Sequence, residues 1–175
     1  MRDAGVILVP TLELLTTWFT DFAPTAESPV EHVRPSVFLH RDVDDVPDAD
    51  AGRRHARRIV DNFTMAREMG VKIALGSDTV FTPLTPYGEY SARELKALVR
   101  HGVSTLEAIT AATHTAAEAL GMAHRIGSVE AGKAADLLVV NGDPTADVEV
   151  LYDAAPIRWI ISAGRLSVED GRLAR

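Results

Sequence analysis

Asp78 closes the run Val71-Lys72-Ile73-Ala74-Leu75-Gly76-Ser77-Asp78-Thr79, which reads as a buried strand that ends by presenting a carboxylate. A carboxylate held in that position can accept and return a proton, or ligate a cation. Val71, Ile73 and Leu75 alternate at period two, and Ala74 keeps the second face small, as suits a short strand covered on both sides. Gly76 permits a sharp turn or the close approach of another group. Ser77, Asp78 and Thr79 should then emerge at the carboxyl end of the strand, the end where α/β sheets and barrels place their chemistry. An aspartate just past a strand ordinarily bonds its own backbone as a turn or cap residue. The surrounding elements decide between the two readings.

Those elements begin almost at residue 1. Val6-Ile7-Leu8-Val9-Pro10-Thr11-Leu12 is an apolar run that reads as a parallel strand over residues 5–12, with a short helix possible over 12–22. Prolines at 24, 29, 35 and 47 break the next stretch of chain, and so long a connection suits a functional rim. Trp18, Phe19, Phe22 and Phe38 are candidates for a pocket wall or for packing that rim onto the body. The acidic run Asp42, Asp44, Asp45, Asp48, Asp50 lacks the spacing and glycine of a calcium loop and leads instead into a helix over 51–69. That helix turns Ala56, Ile59, Val60, Phe63 and Ala66 inward and Arg53, Arg54, Arg57, Arg58 and Asp61 mostly to water. Gly70 stops it, and the strand at 71–76 comes directly after, so strand, helix, strand is the expected unit.

Two further helices are expected after a loop containing Pro86 and Tyr87. Ser91 with Glu94, and Ser104 with Glu107, have capping-box spacing, and Gly102 and Gly121 sit where C-terminal caps belong. The second helix should bury Leu106, Ile109, Thr113, Ala116, Ala117 and Leu120, with His114 on the surface beside that stripe. From residue 126 the texture changes to short strands at 127–129, 135–140, 157–162 and 165–168. Alternation of Ile157, Trp159 and Ile161 with Arg158 and Ser162 predicts one covered sheet face.

Bulk properties narrow the classes. Forty-six per cent hydrophobic residues in 175 is a globular composition. A formal charge of −7 argues against a nucleic acid or an anionic membrane as main partner. The absence of cysteine excludes disulfides, thiolate nucleophiles and cysteine-rich zinc sites. With no signal-like or membrane-length apolar run, a cytoplasmic protein is expected. A covalent aspartyl mechanism would need a second acid where Val80 stands.

Several pieces in this order resemble the carboxy-terminal part of the metal-dependent amidohydrolase superfamily, particularly its imidazolonepropionase-like and prolidase-like members. Leu75-Gly76-Ser77-Asp78-Thr79 is similar to the end of barrel strand eight. Glu94-Leu95, Gly102 to Ala108 and Ala111-Ala112-Thr113 resemble the two helices beyond it. Arg125 to Val140, continuing to Gly142-Asp143-Pro144, resembles the return into the β-sandwich beside the barrel, and Gly5 to Leu12 resembles strand seven. The resemblance covers nearly the whole chain.

It implies an α/β fold made of the last two β/α units of a (β/α)8 TIM barrel over residues 1–125, with the C-terminal strands of a small flanking β-sandwich over 126–175. It implies hydrolysis of carbon-nitrogen bonds in small cyclic-amide or dipeptide-like substrates. Asp78 would be both metal ligand and proton acceptor, with a divalent ion, zinc foremost, polarising the carbonyl. This sequence departs from the family pattern in having no His-x-His pair and no counterpart of the ligands on strands four, five and six. A zinc site takes roughly three or four protein ligands, and such a barrel takes about 250 residues, so a truncated fold, a fragment lacking most ligands, is expected. Tyr87 stands where the family often has histidine, and His32, His40 and His101 match no ligand position. The competing expectation is an inactive relic or interaction module that pairs through an open barrel edge, as a homo-oligomer for instance.

Overall fold

The computed structural model of the chain describes residues 1–21, 49–78, 89–151 and 156–174. Phe22, Phe38, Asp42, Asp44, Asp45, Asp48, His32, His40, Thr79, Val80 and Tyr87 lie outside them, as do the side chains of Asp50, Trp18 and Phe19.

The first strand, β1, covers Ile7–Leu8 and pairs parallel with β2, Lys72–Ile73, with Ile7 opposite Lys72 and Leu8 opposite Ile73. Both are shorter than the apolar runs suggest. The last rung joins Ala74 N–H to the Leu8 carbonyl at 2.9 Å. Beyond it Pro10 has no N–H to give, Thr11 takes a left-handed φ of 51°, and Leu12 is already the first residue of helix α1, Leu12–Asp21. Apolar character continues to Leu12 because that side chain is fully buried in the core, not because the strand continues.

Helix α2, Ala49–Glu68, connects toward β2. Phe63 and Ala56 are buried, Ile59, Val60 and Ala66 half-buried, and Arg53, Arg54, Arg57, Arg58 and Asp61 exposed, as its 3.6-residue period predicts. Helix α3 is Glu89–Arg100, followed by α4, Thr105–Ala112, and α5, His114–Ala119. Helices α2, α3 and α5 end alike. Gly70, Gly102 and Gly121 take φ of 72°, 88° and 69°. Each N–H returns to a carbonyl three residues back, and the following residue's N–H to one five back, as in Gly102 to Val99 and Val103 to Leu98. This is the Schellman arrangement, in which only glycine meets the left-handed backbone without strain.

The single long helix expected over 104–121 is broken. Thr113 sits at φ −121°, ψ −87° between α4 and α5. The stripe counted through the break therefore does not form one face: Ala108, Ala111, Thr115 and Ala117 are buried, while Leu106 and Leu120 are exposed.

After residue 126 the antiparallel sheet runs β3 (Leu137–Val140), β4 (Ile157–Ser162), β5 (Arg165–Glu169), β6 (Arg172–Leu173) in that order. No strand forms at 127–129. Gly127 has φ 92°, outside strand geometry, and a Cβ there would lie 2.6 Å from the Ala117 Cβ; the residue is used for close packing on α5. The expected alternation in β4 is also lost, because Arg158 is an extra residue in the pairing with β3, where Val139 stands opposite Trp159 and Val140 opposite Ile157. Trp159 is consequently 40% exposed. A 3₁₀ turn, Val148–Leu151, ties this part to the helices: Val148 joins the core around Leu12, Phe63, Leu95 and Leu98, and Lys96 pairs with Glu149 at 2.6 Å.

Candidate active site

Because β1 and β2 are parallel, their carboxyl ends lie on one side, and the chain leaves both there. At β2 the exit is Gly76-Ser77-Asp78. Gly76 is required for space: a Cβ would come within 2.5 Å of Val9 Cγ1. Of the two roles open to this glycine, close approach is the one used. Asp78 is exposed and has a left-handed φ of 45°, a conformation aspartate tolerates better than most residues. Ser77, next to it, has its Oγ 3.3 Å from Ser91 Oγ on α3.

At β1 the exit is Val9-Pro10-Thr11 and then α1, and here α3 supplies a second contact. The Glu94 carboxylate accepts N–H bonds from Leu12 at 2.8 Å and Glu13 at 2.7 Å. These are first-turn donors that have no partner within their own helix, and a carboxylate suits the positive end of the helix dipole. Glu94 is fully buried. Burial pushes its carboxyl above the usual range; the two N–H bonds pull the other way, and neighbouring Glu13 pushes it further up. Glu13 is itself nearly buried, with Arg100 Nη2 3.5 Å from its Oε2.

The Ser91 and Glu94 capping box is thus corrected. Helix α3 starts two residues before Ser91, at Glu89, so Ser91 is inside the helix and Glu94 is free to bond another element. One sequence signal could have found it: Tyr90, Glu94, Ala97 and Leu98 form a single buried stripe, with an acid set inside it. The box at Ser104 and Glu107 does form. Ser104 N–H donates to Glu107 Oε2 at 3.0 Å, and Glu107 N–H to Ser104 Oγ at 3.3 Å. The Ser104 hydroxyl, which donates to the same Oε2 at 2.7 Å, and after it the Ser104 N–H hold the Glu107 carboxyl below its ordinary value.

Other titratable residues gather elsewhere. A groove of about 680 Å³ between the end of α2, β2, α4 and α5 is lined by Arg67, Glu68, Lys72, Glu107, His114 and Glu118 among others, and not by Asp78. Lys72 and Glu118 pair across it at 2.7 Å. His114 opens α5 on the surface, as expected, 3.8 Å from Glu118. His101, at the end of α3, is held below its ordinary pKa by burial and by Arg100.

Donor chemistry decides whether the described residues could form a metal centre. Among them no group of three or more His, Cys, Asp or Glu side chains could hold an ion. Asp78 brings a single carboxylate, which does not fill a divalent site. No described helix is long and apolar enough to cross a membrane.

Comparison with known proteins gives this geometry its context. Imidazolonepropionase of Geobacillus kaustophilus is 33% identical over 125 residues, which is 67% of this chain and 26% of that protein. A solved Xaa-Pro dipeptidase with methionine bound in its active site superposes with a TM-score of 0.71 at 27% identity, over 97% of this chain and 36% of that one. Aspergillus niger ochratoxinase gives 0.72 at 25% identity, over 98% and 34%. The chain thus spans about a quarter to a third of the length of these relatives. Residues 17–166 match the profile of the Amidohydrolase family; the chain belongs to that family.

Proposed function

We propose that this chain supplies one catalytic carboxylate, Asp78, to a hydrolase of carbon-nitrogen bonds in small cyclic-amide or dipeptide-like substrates. Family membership and the named activities of its relatives support the reaction class. The observation that carries the role of Asp78 is its place: exposed, on the stretch that leaves the carboxyl end of β2, a strand paired in parallel, the end where barrel enzymes keep catalytic groups. In amide hydrolysis a water oxygen bonds the carbonyl carbon and one water proton goes to a carboxylate. The carbon-nitrogen bond then breaks, and that proton passes to the departing nitrogen. Asp78 is proposed to hold the proton at both moments.

In this reading residues 1–125 form the end of a barrel and 126–175 part of a β-sandwich. The family generally uses divalent metals, with zinc our choice of ion. The described residues do not complete a metal site, and its other ligands are proposed to come from outside them.

The test is Asp78→Asn in the full-length gene product, assayed on imidazolone propionate and on a Met-Pro dipeptide. Loss of about 10²- to 10⁴-fold in kcat is expected. Turnover within a factor of about two of the parent would sink the assignment.

A further inference from the structure

Helix α3 touches both exits at the carboxyl ends of the strands, and it does so with side chains one turn apart on one face. Ser91 meets Ser77, the neighbour of Asp78, at 3.3 Å. Glu94 takes the N–H groups of Leu12 and Glu13. The two contacts span 14 residues of sequence on one side and 82 and 81 on the other, so both join segments apart in sequence, beyond the direct contact of the strands at Leu8 with Ala74 and Val9 with Gly76.

Glu94 is costly where it stands. A buried carboxylate is tolerated when its lone pairs are filled, and here both oxygens are used, each on a different N–H. An apolar residue would complete the stripe of Tyr90, Ala97 and Leu98 without that cost. The donors it serves belong to the first turn after the strained Thr11, where the chain turns from β1 into α1. A hydrogen-bonded ionic group in such a place fixes orientation more than it adds stability. Through Glu94 at one end and Ser91 at the other, α3 sets the spacing between the start of α1 and the Asp78 turn.

We infer that Glu94 is a positioning residue: by clamping the Leu12 and Glu13 amides to α3, it fixes the exit from β1 relative to the exit that carries Asp78. This rests on the proposed role of Asp78 for its catalytic consequence, but not for its structural one. Glutamine at residue 94 keeps the volume and loses one acceptor, turning an amide N–H₂ toward a backbone donor.

The experiment uses the full-length protein, with Glu94→Gln compared against Leu98→Ala. The latter removes a fully buried core side chain of the same helix and matches or exceeds the loss of stability without touching the clamp. Hydrogen exchange at the amides of Leu12, Glu13 and residues 76–78 should quicken about tenfold or more in Glu94→Gln, beyond any change in Leu98→Ala at equal distance from its melting point. With the Met-Pro and imidazolone propionate probes, kcat should fall by up to about 10²-fold while KM moves by less than about threefold, and Leu98→Ala should keep kcat. Faster exchange at Leu12 and Glu13 with residues 76–78 unchanged overturns the inference, as does an equal kcat loss in both variants. If the parent protein cleaves neither probe, the proposed function fails with them, and the exchange at residues 76–78 still decides whether Glu94 positions that turn.

Discussion

Val9 leaves no room for a side chain at residue 76: a Cβ on Gly76 would lie 2.5 Å from the Val9 Cγ1 methyl. The ends of the two parallel strands are thereby held at contact distance just before Asp78. Gly76→Ala should cost about 1–3 kcal/mol through overpacking and displace the Asp78 turn. Adding Val9→Ala should recover most of that loss. Thermal denaturation of both singles and the double closes the cycle, and strict additivity would mean the contact is not the cause.

Gly127 and Gly132 have nearly the same φ, 92° and 90°, but different surroundings. A Cβ on Gly132 meets nothing within 4 Å, whereas one on Gly127 would meet the Ala117 Cβ at 2.6 Å and the Thr113 carbonyl at 2.9 Å. Gly132→Ala should therefore show the conformational cost alone, about 1 kcal/mol. Gly127→Ala should add about 1–3 kcal/mol of overlap. Equal melting temperatures for the pair would refute this account.

The box at the start of α4 predicts a modest and pH-dependent effect. Ser104→Ala should cost about 1 kcal/mol. The depressed Glu107 carboxyl contributes stability that is present above the ordinary carboxylate range and lost as pH falls through its folded value. Ser104→Ala removes the hydroxyl's share of that contribution and leaves the backbone N–H bond, so its deficit relative to the parent should shrink on acidification from pH 6 toward about pH 3. Melting curves across that range check the sign.

Glu94 predicts the opposite slope. Its folded-state carboxyl is raised, chiefly by burial, so its contribution is fully present below the ordinary glutamate value and is lost as pH rises through the elevated one. A Glu94→Gln protein has no such titration. The parent's advantage in melting temperature over Glu94→Gln should accordingly be greatest near about pH 4 and decline toward neutrality. A growing advantage above pH 6 would show that the N–H bonds to the anion outweigh burial.

Much of this architecture is written locally. The inward stripe of α2, its exposed arginines, the stops at Gly70, Gly102 and Gly121 and the pairing of Ser104 with Glu107 all depend on residues within a few positions of one another. The sequence misleads where a distant group decides the outcome. Leu12 continues an apolar run, yet its N–H belongs to Glu94, 82 residues away. Glu94 has the spacing of a cap and is taken by another helix. Thr113 has nothing in its own window to announce a break, and with the break the counted stripe of Leu106 and Leu120 falls on the surface. The short β6 goes unread because two residues carry no period. For the candidate site, the position of Asp78 could be read from the strand and glycine before it, whereas the clamp on the opposite exit could not.

The interruption at Thr113 has an effect on the outer margin of β2. Residues in the last turn of α4 have carbonyls that no later helical N–H can reach, and the one on Ala111 accepts the Leu75 N–H at 2.9 Å. A helix end therefore occupies the rung that a neighbouring strand would use next to Leu75. Any chain adding alongside β2 must stop short of that rung, which blunts the margin against indiscriminate β-association and leaves the turn that bears Asp78 clear of a trespassing backbone.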